Sequence, residues 1–130
     1  MSSVRIIIVE DFAPFRQFIA DTLATKRDLS VICEVSDGLE AVQKAVELHP
    51  DLILLDIGLP SLNGIEAARQ IRKLVPESKI IFLTQESSAD AMQAAHKLGA
   101  WGYIVKLNAA SDLLPALEAV ISGKHFFRST

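Results

Sequence analysis

The chain has 130 residues, 50% of them hydrophobic, with a formal net charge of −3 and a pI near 5.5. That length and apolar content suit one compact domain, and the acidic balance removes the general attraction to a phosphate backbone on which nucleic-acid binding depends. No apolar run approaches the ~20 residues that span a bilayer and no basic leader precedes one, so a cytoplasmic protein with no membrane segment is expected.

The first apolar run, residues 4–9, contains Ile6-Ile7-Ile8 without alternation, the mark of a strand covered on both faces, and leads into Glu10-Asp11. Phe15, Ile19 and Leu23 then recur on one helical face. A strand at 31–35 carries Cys33, the only cysteine, which can make no internal disulfide and lacks metal-site spacing; a buried core thiol is expected. Asp37-Gly38 opens the next helix and Leu48-His49-Pro50 ends it. The run 52–55 is again apolar throughout, so it and the first strand are expected to be central, and Asp56 follows it directly. Gly58-Leu59-Pro60 bends the chain, and Asn63 can cap a helix from Gly64 in which Ile65, Ala68 and Ile71 face inward.

Residues 80–83 form the fourth strand and end at Thr84; a helix over about 89–98 stops at Gly99. Trp101 is expected to be half-buried before the fifth strand, 103–105, which ends at Lys106. Leu113, Leu117 and Val120 mark the last helix, which Gly123 terminates. Pro115 falls inside that helix and is expected to make it start late or bend. The domain is read as 1–123, and in the tail, 124–130, Phe126 and Phe127 either fold back or open a linker. His49, His96 and His125 are read as surface or helix-end residues with no second ligand nearby, and Arg72, Lys73 and Lys97 as solvated faces.

Five strands alternating with five helices predict an α/β fold: an open, doubly wound parallel sheet of flavodoxin-like type, strand order 2-1-3-4-5, binding ligands beyond the carboxyl ends of its strands. Glu10, Asp11, Asp56, Thr84 and Lys106 then meet at one edge. Three carboxylates so close repel one another, and a divalent cation relieves the repulsion. Magnesium, which takes hard oxygen ligands, fits this set, whereas zinc lacks a histidine or cysteine in it. With the metal present, Asp56 can attack phosphorus, Lys106 can balance the phosphate charge, and the Thr84 hydroxyl can donate to a phosphoryl oxygen.

The ordered set Glu10-Asp11, Asp56 in Leu55-Asp56-Ile57-Gly58-Leu59-Pro60, Asn63-Gly64, Thr84 and Gly102-Tyr103-Ile104-Val105-Lys106 resembles the receiver family of two-component response regulators across nearly the whole chain. The resemblance implies that Asp56 is the phosphoacceptor, that Glu10 and Asp11 hold magnesium directly or through water, and that the Gly58 carbonyl supplies another ligand. It makes Thr84 the hydroxyl that senses the phosphoryl group, Lys106 its ionic partner, and Tyr103 an aromatic switch, though Tyr103 could equally be plain packing. The implied donor is a phosphohistidine on a sensor histidine kinase or a phosphotransfer protein, and a homodimer on phosphorylation is among the implied states. The changed face would include the helix near 89–98, the strand at Tyr103 and the helix over 111–121.

Two features depart from the commonest receiver pattern. Leu107 stands where many receivers have proline, so no cis X–Pro bond can form and a looser loop is expected, and Gly58 places no side chain beside the acceptor. Gly99-Ala100-Trp101-Gly102, the missing proline and the ending Ser122-Gly123-Lys124 look most like the NarL/LuxR class, in which a DNA-binding domain outside these residues gives the output. The alternatives are a stand-alone receiver acting through protein contacts, a docking-only receiver, and an aspartyl-phosphate phosphatase. The last usually has a second acid two residues after the nucleophile, where Gly58 stands.

Overall fold

In a computed structural model, residues 3–128 are described; the tail's last two residues and the first two of the chain lie outside them. The strands are β1 (Val4–Val9), β2 (Leu29–Val35), β3 (Leu52–Asp56), β4 (Lys79–Thr84), β5 (Gly102–Val105) and β6 (Phe126–Phe127). The helices are α1 (Ala13–Ala24), α2 (Gly38–Leu48), α3 (Gly64–Leu74), α4 (Ala89–Lys97) and α5 (Ala109–Ile121). All strand pairs are parallel in the order β2-β1-β3-β4-β5-β6. The flavodoxin-like α/β architecture and its five helices are as expected, but the sheet has a sixth strand where five were predicted.

The central positions of β1 and β3 follow from their sequences. Ile6, Ile7, Ile8 and Val9 are completely buried, as are Ile53, Leu54 and Leu55, because helices cover both faces of the sheet. Alternate residues feed two cores. Ile7, Val9, Ile53, Leu55 and Phe82 meet α2, α3 and α4, while Ile6, Ile8, Leu54, Ile81 and Leu83 meet α1 and α5. Cys33, expected in the core, is only half-buried because β2 is an edge strand.

Helix ends explain how the loops are set. Asp37 and Asn63 accept hydrogen bonds from the Glu40 and Glu66 amides at 2.8 and 2.9 Å, closing the first turns of α2 and α3. His49 ends α2 in the left-handed conformation, φ 47°, and its ring reaches Glu77 at 2.8 Å.

At the C-terminal end one expectation is corrected, and the tail takes one of its two open alternatives. The last helix does not start late: it runs from Ala109 to Ile121 through the proline, because Pro115 lies on the exposed face and water can satisfy the Ser111 carbonyl that loses its partner. Beyond Gly123 (φ +86°) the tail turns back, and Phe126 and Phe127 pair with Gly102 and Tyr103. The predicted boundary at 123 therefore falls before the last strand of the sheet. The loop after Lys106, expected to be loose, is a 3-10 turn over Lys106–Asn108 that leaves Leu107 92% exposed.

Candidate functional site

Because the strands are parallel, their carboxyl ends share one edge, and the last residue of β3, the last of β4 and the residues just past β1 and β5 surround one cleft of about 860 Å³. Glu10, Asp11, Asp56, Gly58, Thr84 and Lys106 all line it, with Phe12, Phe15 and Leu107 at the apolar lip. Tyr103 stands behind the cleft, 2% exposed.

Asp56 is buried at the end of the sheet and is held from behind by backbone. A Cβ on Gly64 would collide with the Asp56 carbonyl, so only glycine lets the start of α3 lie this close. The Gly58 amide donates to Asp56 Oδ1 at 3.1 Å, leaving Oδ2 facing Lys106 Nζ at 3.1 Å. Lys106 Nζ also lies 2.9 Å from Glu10 Oε1, so one ammonium bridges two buried carboxylates. The same ammonium lies over the Phe15 ring, 5.2 Å from its centroid.

Glu10 is fully buried, and burial is the main reason its carboxyl is pushed above the ordinary range; the Asp56 charge adds to the rise, while Lys106 and the Phe12 amide oppose it. The Lys106 ammonium is held above its usual value by Glu10 and Asp56, which outweigh a large opposing effect of burial. Glu10 Oε2 accepts from Phe12 N at 3.0 Å, but Oε1 accepts no hydrogen bond: Lys106 is in ion-pair range yet off the line of one. One carboxylate oxygen from each of Glu10, Asp11 and Asp56 lies within 4.8 Å of the others. A buried oxygen that accepts no hydrogen bond, beside two more carboxylates and with no histidine or cysteine among the described residues lining the cleft, fits a hard oxygen-seeking cation.

On the far side, Thr84 Oγ1 accepts from Glu86 N at 3.0 Å, and the Tyr103 hydroxyl donates to the Glu86 carbonyl at 2.7 Å. Burial raises the Tyr103 phenol; the Thr84 hydroxyl works against the rise and the Glu86 charge with it.

Several residues escaped the sequence reading. Arg16 donates to the Glu10 carbonyl at 2.7 Å and lies 3.6 Å from Glu34, fixing the end of β1. Only its position one turn into the first helix hinted at this. Arg72 is exposed, as read, but its guanidinium also lies over Gly99, where a Cβ would approach Nε to 2.6 Å. His96 and His125, read as scattered, meet with ring centroids 5.2 Å apart, because the returning tail brings His125 between Trp101 and α4. Trp101 is half-buried as expected, with Lys79 Nζ 4.2 Å from its ring centroid.

A family model described as the response regulator receiver domain matches residues 6–118. The chain is similar to the transcriptional regulatory protein LiaR of Bacillus subtilis, 36% identical over 121 residues, which are 93% of this chain and 57% of LiaR. It is also similar to the response regulator protein VraR of Staphylococcus aureus (strain NCTC 8325), 34% identical over 125 residues, 96% of this chain and 60% of VraR. The chain thus spans less than two thirds of the length of these relatives. Among solved structures, a LuxR-family two-component response regulator from Aurantimonas sp. SI85-9A1 superposes with a TM-score of 0.90 at 30% identity, covering 96% of this chain and 89% of that one.

Proposed function

The chain belongs to the response regulator receiver family, and we propose that it is a phosphate-operated switch in which Asp56 takes a phosphoryl group from a phosphohistidine on a sensor kinase or phosphotransfer protein. The observation that carries this reading is the Glu10–Lys106–Asp56 bridge at 2.9 and 3.1 Å beside the exposed carboxylate of Asp11. In the transfer an Asp56 oxygen forms the new O–P bond as the P–N bond to imidazole breaks, and the imidazole nitrogen keeps the leaving electron pair. Lys106, already at Asp56 Oδ2, pairs with the incoming negative charge, and Thr84 turns its hydroxyl toward a phosphoryl oxygen.

Glu10, Asp11, Asp56 and the Gly58 carbonyl would hold magnesium. Bound there, the ion draws charge from the phosphoryl oxygens. The chain's own part is to keep these oxygens in place: the Gly58 amide orients Asp56, the Phe12 amide holds the Glu10 carboxylate, and Arg16 holds the Glu10 backbone carbonyl. The acyl phosphate carries about −1.5 to −2 of charge in place of the single charge of the Asp56 carboxylate, and so biases the α4–β5–α5 face between two arrangements. The name of LiaR supports a transcription regulator as the whole protein; in this reading a domain outside these residues contacts DNA and the phosphorylated chain forms a homodimer.

Incubation with phosphoramidate and magnesium, read by intact mass, tests the reading. One phosphoryl group per chain, absent from Asp56→Asn and lost again with time, is expected. Steady turnover of phosphomonoesters without a labelled chain would point to the phosphatase alternative.

A further inference from the structure

The tail after α5 is built into the sheet beside the residue that links the cleft to the outer face. Phe126 N donates to the Trp101 carbonyl at 2.9 Å, and β6 places Phe127 opposite Tyr103. Residues opposite one another in a parallel pair project from the same face. Phe127 therefore shares the Tyr103 side of the sheet and packs, partly buried, against the core under α4, while Phe126, 8% exposed, enters the other core under α5. His96 of α4 meets the Phe127 ring edge-on at 5.0 Å, and Arg128 reaches Asp112 of α5 at 2.9 Å.

The Tyr103 ring leans toward the segment after β4, where its hydroxyl meets the Glu86 carbonyl, and Glu86 in turn holds Thr84. A strand side chain has few staggered positions. A rotation that frees this hydroxyl carries the ring away from β4 and toward β6, where Phe127 lies.

We propose that Phe127 is a positioning residue for the switch: the sixth strand fills the space beside Tyr103, keeps its phenol on Glu86, and so keeps Thr84 set for a phosphoryl group on Asp56. This rests on the phosphoacceptor reading. The coupling is reciprocal by thermodynamic linkage, so occupancy of Asp56 tightens β6 by the same factor by which β6 tightens occupancy. The tail is thus one part of the chain that responds to the state of Asp56, next to the α4–β5–α5 face.

The test uses the full chain and beryllofluoride with magnesium as the phosphoryl probe. Affinity is measured for the unchanged chain, Phe127→Ala, Phe127→Leu and, as a control in the exposed tail, Lys124→Ala. Phe127→Ala is expected to weaken binding about fivefold or more, the lower end of ordinary coupling factors. Phe127→Leu restores most of the loss and Lys124→Ala leaves affinity unchanged. A purely structural role would lower the melting temperature of the free chain without moving the affinity. In the unchanged chain, the β6 amides exchange more slowly once the probe saturates Asp56, a readout that needs no variant to fold. Equal affinities for the unchanged chain and Phe127→Ala, or β6 exchange indifferent to the probe, overturn the inference alone. An unchanged chain that binds no probe overturns the phosphoacceptor reading and this inference with it.

Discussion

The charged rim at the carboxyl ends of the strands and the aromatic corner where β6 meets α4 are stabilised in opposite ways. At the rim, the buried carboxyl groups of Glu10 and Asp56 are tolerated because Lys106 bridges them; at the corner, Phe127, Trp101, His96 and His125 meet edge to face, and Phe126 is buried on the other face of β6 under α5. Burying paired charge adds little net stability, whereas apolar burial adds much. The rim is therefore built for chemistry at some cost to stability, and the corner contributes stability that the rim lacks. Changes at the rim should abolish phosphoryl capture first, and changes at the corner should weaken the fold first.

The largest expected effect at the rim is Asp56→Asn, which removes the only nucleophile the proposal allows and should take acetyl phosphate labelling below detection by mass. Next, Lys106→Ala leaves two buried carboxylates facing each other, and breaking a buried charge set in this way costs about 3–5 kcal/mol; urea unfolding checks it, and added magnesium should recover part of the loss. At the corner, Phe126→Ala should cost about 3 kcal/mol, as for other buried aromatic truncations, while the variant still becomes labelled on Asp56. If Phe126→Ala lost its label as completely as Asp56→Asn, the division between the two regions would fail.

Two smaller effects sharpen the contrast. Magnesium at ten times its dissociation constant should stabilise the chain by about 1.4 kcal/mol through mass action, and Asp11→Asn should reduce that gain, as thermal melts would reveal. At the corner, burial raises the phenol of Tyr103, the only tyrosine in the chain. Because its folded value exceeds its unfolded one, the stability it contributes is fully present below the unfolded value and is lost as pH rises through the folded one. Ultraviolet titration should find the phenol above the ordinary range, and Phe127→Ala should bring it back down. A phenol that titrates ordinarily in both would mean that β6 does not cover it.

The same contrast decides what could be read from the sequence. Each rim residue follows an apolar run directly, so parallel strand ends alone bring Glu10, Asp56, Thr84 and Lys106 together, and Asp37 and Asn63 announce their helices by local capping. The corner has no local signature. A two-residue strand shows no periodicity, and Phe126 and Phe127 find their places only because Gly102 and Tyr103 offer an open edge some two dozen residues earlier in the chain. The meeting of His96 with His125 and the packing of Arg72 on Gly99 depend on such distant contacts as well. Pro115 misled for the opposite reason: its local cost is real, but the exposed face of α5 lets water absorb it.

The most direct test of the rim's chemistry is a crystal structure grown with magnesium and beryllofluoride. Beryllium should bond an oxygen of Asp56, with the cation on Asp11, Asp56 and the Gly58 carbonyl, Glu10 bound directly or through water, and Lys106 and Thr84 on the fluorides. An adduct on any other side chain, or an Asp56 left bare with the cation elsewhere, would contradict the proposal.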